Sequence, residues 1–232
     1  MGKLFDFLNR EPKKSAEGAS PRKGFGRFFF LLWTHFGKLI ALNFLFIVFS
    51  LPLLTLPAAF CAMMRVLFVL SRDGNVFLWD EFWGEFKAEL FRSIPMGLLF
   101  LLMLAGAACS GLIAYVNWGS VYGVLFGAIA LALLLFELLL SSYGFLMLAM
   151  TKLTPSQALN NAWRLVIAGK WRSPAALLLM LLLWAAWALS LPYSFPVLLV
   201  CWIALAELAV CLTLAPVISR YAVAEPPSDK DE

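Results

Sequence analysis

Ser50-Leu51-Pro52-Leu53-Leu54-Thr55-Leu56-Pro57-Ala58 interrupts an otherwise apolar run from Phe28 to Leu70. How this stretch is read decides the fold. A spanning helix needs roughly 20 apolar residues, and 43 is enough for two. Proline stops a helix or starts one. Two readings compete: one long span followed by a surface stub, or two helices turning back at Pro52–Pro57.

The charges around the run arbitrate. Residues 1–27 hold seven bases (Lys3, Arg10, Lys13, Lys14, Arg22, Lys23, Arg27) against three acids. Residues 151–173 hold Lys152, Arg164, Lys170 and Arg172 and no acid. Both segments are predicted to be cytoplasmic by the positive-inside rule. Between them, 95–116 and 121–150 read as a tight hairpin of spans, so 71–93 shares their side. An even number of crossings then separates residue 27 from residue 71. The prolines therefore turn the chain back. With 174–191 and 196–219 as a further pair, the favoured layout has about six spans in three hairpins, and five spans is the alternative. The weak point is residues 57–70, which reach only about 21 Å at 1.5 Å per residue. A tilted or shielded helix would accommodate that.

Composition agrees with the class. Of 232 residues, 62% are hydrophobic and 14% charged, with mean hydropathy +0.87. Soluble domains run nearer half and a quarter. The expectation is an all-α, polytopic membrane protein, its partner the lipid bilayer and not nucleic acid. Its parts are a basic segment at 1–27, one helical membrane domain at 28–219 and a disordered tail at 220–232, with both termini cytoplasmic. The uncharged turns with Trp118, Tyr122 and Tyr193 suit the outer face and its aromatic belt.

Each hairpin follows an aromatic, basic segment. The first is Trp33-Thr34-His35-Phe36-Gly37-Lys38. The second runs through Trp83, Phe86 and Lys87 to Phe91-Arg92-Ser93-Ile94-Pro95. The third runs through Trp163 and Arg164 to Lys170-Trp171-Arg172-Ser173-Pro174. The last two endings suggest repeated units, each an amphipathic elbow helix followed by a hairpin. Thr154-Pro155-Ser156-Gln157 carries a capping box and opens the third elbow. Elbows of this kind lie in the interface plane. Trp83, Lys87, Arg92, Trp163, Arg164, Lys170, Trp171 and Arg172 are the candidate lipid or partner surface.

Glu137 and Glu207 fall near the middle of apolar helices, where an ionised carboxylate costs on the order of 2.5–3.5 kcal/mol. Arg65 occupies a comparable place and is a reasonable partner for either. With Asn43 these form a candidate intramembrane polar site, either a structural lock or a site for a solute, proton or cation. His35 is the one histidine and reads as a headgroup-level residue. Four cysteines without C-x-x-C spacing read as small apolar side chains. Hydrolase, metalloprotease, P-loop and dinucleotide motifs are missing. No enzyme activity, cofactor or metal is expected.

Trp33, Lys38-Leu39, Asn43, Ser50-Leu51-Pro52 and Thr55-Leu56-Pro57-Ala58, followed by Phe82-Trp83 and Phe86-Lys87, resemble the YesL family of uncharacterised bacterial membrane proteins. The likeness is sharp over residues 25–93. Members often lie beside genes for carbohydrate ABC transporters. The resemblance implies a multi-pass protein of the bacterial plasma membrane, a non-enzymatic accessory or scaffolding subunit of a membrane complex with an ABC permease as a partner. The alternative is a small transporter or channel built on Arg65, Glu137 and Glu207.

Overall fold

The computed structural model describes residues 25–74, 76–151, 153–189 and 202–222. Expectations for the N-terminal segment before Phe25, the turn at 190–201 and the tail after 222 lie outside these. Among the described residues all regular structure is helical: α1 (Phe25–Ser50), α2 (Leu56–Asp73), α3 (Leu78–Glu89), α4 (Ile94–Val116), α5 (Val121–Met150), α6 (Pro155–Ala168), α7 (Arg172–Leu189) and α8 (Ile203–Ala222). Three stretches are long and apolar enough to cross a membrane: Gly26–Ser50, Ile94–Val116 and Val121–Met150. The pair Pro155–Ala168 and Arg172–Ala186, bent by 96°, adds a fourth candidate. Helices of this length and apolarity fit a membrane-spanning protein.

The proline stretch is a break, as its residues predict. α1 stops at Ser50, and the Thr55 hydroxyl donates to the carbonyls of Phe49 at 2.6 Å and Pro52 at 2.8 Å. Pro57 sits in the first turn of α2. Gly74, at φ +71°, ends α2 in the left-handed region, and its N–H donates to the Leu70 carbonyl. Glycine reaches that conformation without a Cβ penalty.

Protein surrounds α2. It packs on α1, α3, α5 and α8, and Ala58, Ala59, Cys61, Ala62, Met63, Met64 and Leu67 are fully enclosed. Its shortness is thus met by shielding. Arg27, early in α1, donates to the carbonyls of Ser71 and Arg72 at the far end of α2, while Phe46 meets Phe60. α1 and α2 are therefore antiparallel.

α3 retraces α2. Glu81 sits beside Arg65, and the charges of Glu85 and Glu89 act on Cys61. A Cβ on Gly97, in the first turn of α4, would strike the ring of Pro57. The starts of α2 and α4 therefore touch. The expected layout puts the turn at Pro52–Pro57 on the outer face and the start of α4 on the inner one, and the contact leaves that six-span order unconfirmed. Two contacting residues cannot sit on opposite sides of a core about 30 Å thick. The periodicity of α3 was legible, but its direction depends on contacts with α2 that lie outside any local pattern.

α4 and α5 form a close antiparallel pair. Gly144 packs on Met96 and Phe100, a Cβ on Gly111 would lie 4.0 Å from that of Ala130, and one on Gly127 would lie 3.7 Å from that of Ala114. Small residues of this kind let membrane helices approach closely. The outer sides are bare: Leu98, Leu102, Leu112, Val121, Val124 and Leu131 are all exposed.

α6 opens on the expected capping box. The Thr154 hydroxyl accepts from the Gln157 N–H at 3.4 Å, and the Thr154 N–H donates to Gln157 Oε1 at 3.0 Å. α6 retraces the end of α5 much as α3 retraces α2, with Trp163 edge-on to Phe136 at 5.1 Å. Ser93 and Ser173, the serines of the two similar Arg-Ser endings, are both buried. The second helices of the three expected pairs, α2, α5 and α8, pack on one another. These correspondences support the repeated unit.

Candidate functional site

The densest polar group lies between α2, α3 and the end of α5. It begins with Glu81, Glu85 and Glu89, spaced at i, i+4 and i+8 along one ridge of α3. The opposite side of α3 is apolar and is held by α1. Phe49 packs on Phe82, Trp83 and Phe86 with ring centroids 5.6, 5.5 and 4.9 Å away. That packing turns the carboxylates toward α2 and α5.

Two arginines meet them. Arg65 Nε lies 3.3 Å from Glu81 Oε2, and its Nη1 donates to the Ala149 carbonyl at 3.2 Å. Arg92 pairs with Glu89 Oε1 and donates to the Leu153 carbonyl. Each arginine thus joins a carboxylate on α3 to a carbonyl near the C-terminal end of α5. Such carbonyls lack helical partners and carry partial negative charge. Glu89 is 1% exposed, and its Oε2 is buried with no hydrogen-bond partner among the described residues.

Three carboxylates and two guanidiniums leave one negative charge in excess, and Glu85 is where a proton would offset it. Burial, reinforced by the charge of Glu89, pushes Glu85 up to about 7, against the pull of Arg65 and Arg92. Burial also raises Glu89, with Arg92 opposing. A carboxyl raised in the folded state binds its proton there more tightly than in the unfolded chain. Its favourable contribution is complete below the unfolded value of about 4.5 and fades as pH rises through 7. Glu85→Gln should therefore flatten the pH dependence of melting temperature between pH 5 and 8, as read in thermal unfolding scans in detergent. An unchanged slope would place the titration elsewhere.

The intramembrane candidates are not drawn into one site. Arg65 is engaged by Glu81 and the Ala149 carbonyl, and among the described residues its ion pair within 4 Å is Glu81 and neither Glu137 nor Glu207. Glu207 is 3% exposed on α8. Oε2 of Glu137 and of Glu207 is buried with no hydrogen-bond partner among the described residues. Asn43 is fully buried, and its Oδ1 accepts from the Ala204 N–H at 3.1 Å. It caps the start of α8 from α1, 161 residues away, supplying one of the acceptors that a helix N-terminus lacks. His35, expected at headgroup level, is buried at 5% exposure and marks a non-helical kink in α1.

The surface candidates divide. Lys87 lies over the Trp83 ring at 4.8 Å, and Trp83 is held against Phe49. Arg92 turns inward. Trp163, Arg164, Lys170, Trp171 and Arg172 are exposed, with Trp171 at 87%. Among the described residues no group of three or more His, Cys, Asp or Glu side chains is placed to hold a metal ion. Sequence reasoning missed the α3 ridge because charges on an amphipathic helix are assigned to water by default. The i, i+4, i+8 spacing of three glutamates was the available signal.

Residues 39–118, from α1 to the α4–α5 turn, match the family model described as "Protein of unknown function, DUF624". No curated protein and no solved structure matches the chain. The matched stretch holds Asn43, the proline turn, Arg65, the Glu81–Glu85–Glu89 ridge and Arg92. The polar cluster therefore belongs to the part of the chain the family describes, while Glu137, Glu207 and the Trp163–Arg172 surface lie beyond it.

Proposed function

We propose that the chain is a non-enzymatic accessory or scaffolding subunit of a bacterial plasma-membrane complex. Its resemblance to the YesL family points to a carbohydrate ABC permease as the partner. The observation that carries the reading is the corner between α6 and α7. Trp171 stands 87% exposed there between Lys170 and Arg172, at a bend of 96°. Lys170 holds φ +45°, a strained value for a residue with a Cβ. Buried aromatics and arginines are the usual anchors of interfaces. The inward polar groups, Arg65, Arg92 and Asn43, join helices to one another and suit a rigid support.

The topology follows the same charges. Both termini are cytoplasmic, and the Pro52–Pro57 turn and the start of α4 lie on one side of the bilayer. The contact of Pro57 with Gly97 supports this. α4 and α5 cross the bilayer.

Affinity purification from native membranes in mild detergent should recover permease components with the wild-type chain. A Lys170→Ala/Trp171→Ala/Arg172→Ala variant that keeps its expression level should lose them at least tenfold. Retention by that variant would refute the docking corner. The unpartnered oxygens of Glu137 and Glu207 favour a second reading, a small proton- or cation-coupled transporter. Flux in liposomes by the purified chain, abolished by Glu137→Gln or Glu207→Gln, would establish it in place of the first.

A further inference from the structure

We propose that the groove between α5 and α6 holds one anionic phospholipid, with its headgroup at Ser156 and Asn160 and an acyl chain along Phe136 and Leu140. The groove has a volume of about 400 Å³ and is lined by Phe136, Leu140, Ser156, Leu159, Asn160 and Trp163. That size falls within the roughly 300–1,000 Å³ of small-ligand sites. One end is aromatic and aliphatic; the other carries a hydroxyl and an amide near the start of α6.

α6 presents two apolar edges. Ala158, Ala162 and Leu165 are buried against the protein. Trp163 and Ile167 form the other edge and stay 49% and 68% exposed. α5 offers its bare apolar side beside them, so lipid has direct access. The edge-on contact of Phe136 with Trp163 makes a fixed aromatic wall for a chain.

Charge selects the headgroup. Arg164 follows Asn160 by one turn, is exposed, and belongs to the 151–173 segment with four bases and no acid. The N-terminus of α6, with its positive dipole end, lies at Ser156. Basic pockets beside membrane helices on the cytoplasmic side hold anionic headgroups for this reason.

Native mass spectrometry of the detergent-purified chain, titrated with phosphatidylglycerol or phosphatidylcholine, tests the site. One phosphatidylglycerol should bind at least tenfold tighter than phosphatidylcholine. Arg164→Ala should remove that preference, and Asn160→Trp should fill the groove and lower binding of both lipids. Both positions are on the surface, so melting temperature without added lipid should change little. Equal retention of the two lipids, or an Arg164→Ala variant that keeps the preference, would overturn the proposal. So would a dimer that forms through the groove and excludes lipid. Loss of permease recovery by the corner variant bears on docking alone and leaves this result independent.

Discussion

Gly97→Val should cost the protein on the order of 3 kcal/mol, the upper range for forcing extra atoms into a packed interior, and should sharply reduce recovery of monodisperse protein. The reason is local. The first side-chain carbon would strike the Pro57 ring, which opens α2 and is locked by its own ring closure. Gly97 and Met96 are buried, and a Cβ on Gly144 of α5 would lie 3.4 Å from the Met96 side chain. No flexible chain end is available to yield. Gly84→Ala is the control of opposite sign. Nothing lies within 4 Å of that position on α3, so alanine should stabilise by about 0.5–1 kcal/mol through helix propensity. Melting temperatures of the two variants in the same detergent should move in opposite directions. Equal shifts would mean that α2 and α4 do not meet at Pro57.

Arg92→Ala should be nearly as damaging, by about 3 kcal/mol, the lower bound for stripping one partner from a buried pair. Glu89 is 1% exposed and would be left buried with no cation beside it. The Leu153 carbonyl would lose its donor as well. The double variant Glu89→Gln/Arg92→Ala removes the stranded carboxyl group and should recover more than half of the loss. Chemical denaturation of the four species in mild detergent gives the coupling. A double variant no more stable than Arg92→Ala alone would show that the pair is dispensable and that Arg92 acts only through Leu153.

The sequence carried the local devices well. Proline, threonine and glycine mark the break at Ser50 and the stops that follow, because their backbone effects act over one turn. The Thr154–Gln157 box is equally self-contained. The aromatic ridge of α3 was legible for the same reason, being a period of 3.6. What the chain's order conceals is which surface each ridge meets. Glu81, Glu85 and Glu89 look like a solvated face until Phe49 takes the other side of α3 and turns them toward Arg65. Arg65 looks like a partner for distant membrane glutamates because hydropathy gives depth but not azimuth. Asn43 reads as part of the same intramembrane polar site, whereas its Oδ1 caps α8 from 161 residues away. The first two depend on how α3 runs back along α2 and the third on how α1 meets α8, and nothing local specifies either.

That path is best tested with single cysteines in a background where the native cysteines are replaced by alanine. Leu53→Cys sits in the proline turn, Phe91→Cys just before α4, and Trp118→Cys in the α4–α5 turn; all three positions are exposed. A membrane-impermeant thiol reagent, applied to intact cells and to inside-out vesicles, should reach Leu53→Cys and Phe91→Cys from the same side of the membrane and Trp118→Cys from the other. Labelling of Leu53→Cys in intact cells while Phe91→Cys reacts only in inside-out vesicles would contradict the account, because the two turns would then lie on opposite sides of the bilayer.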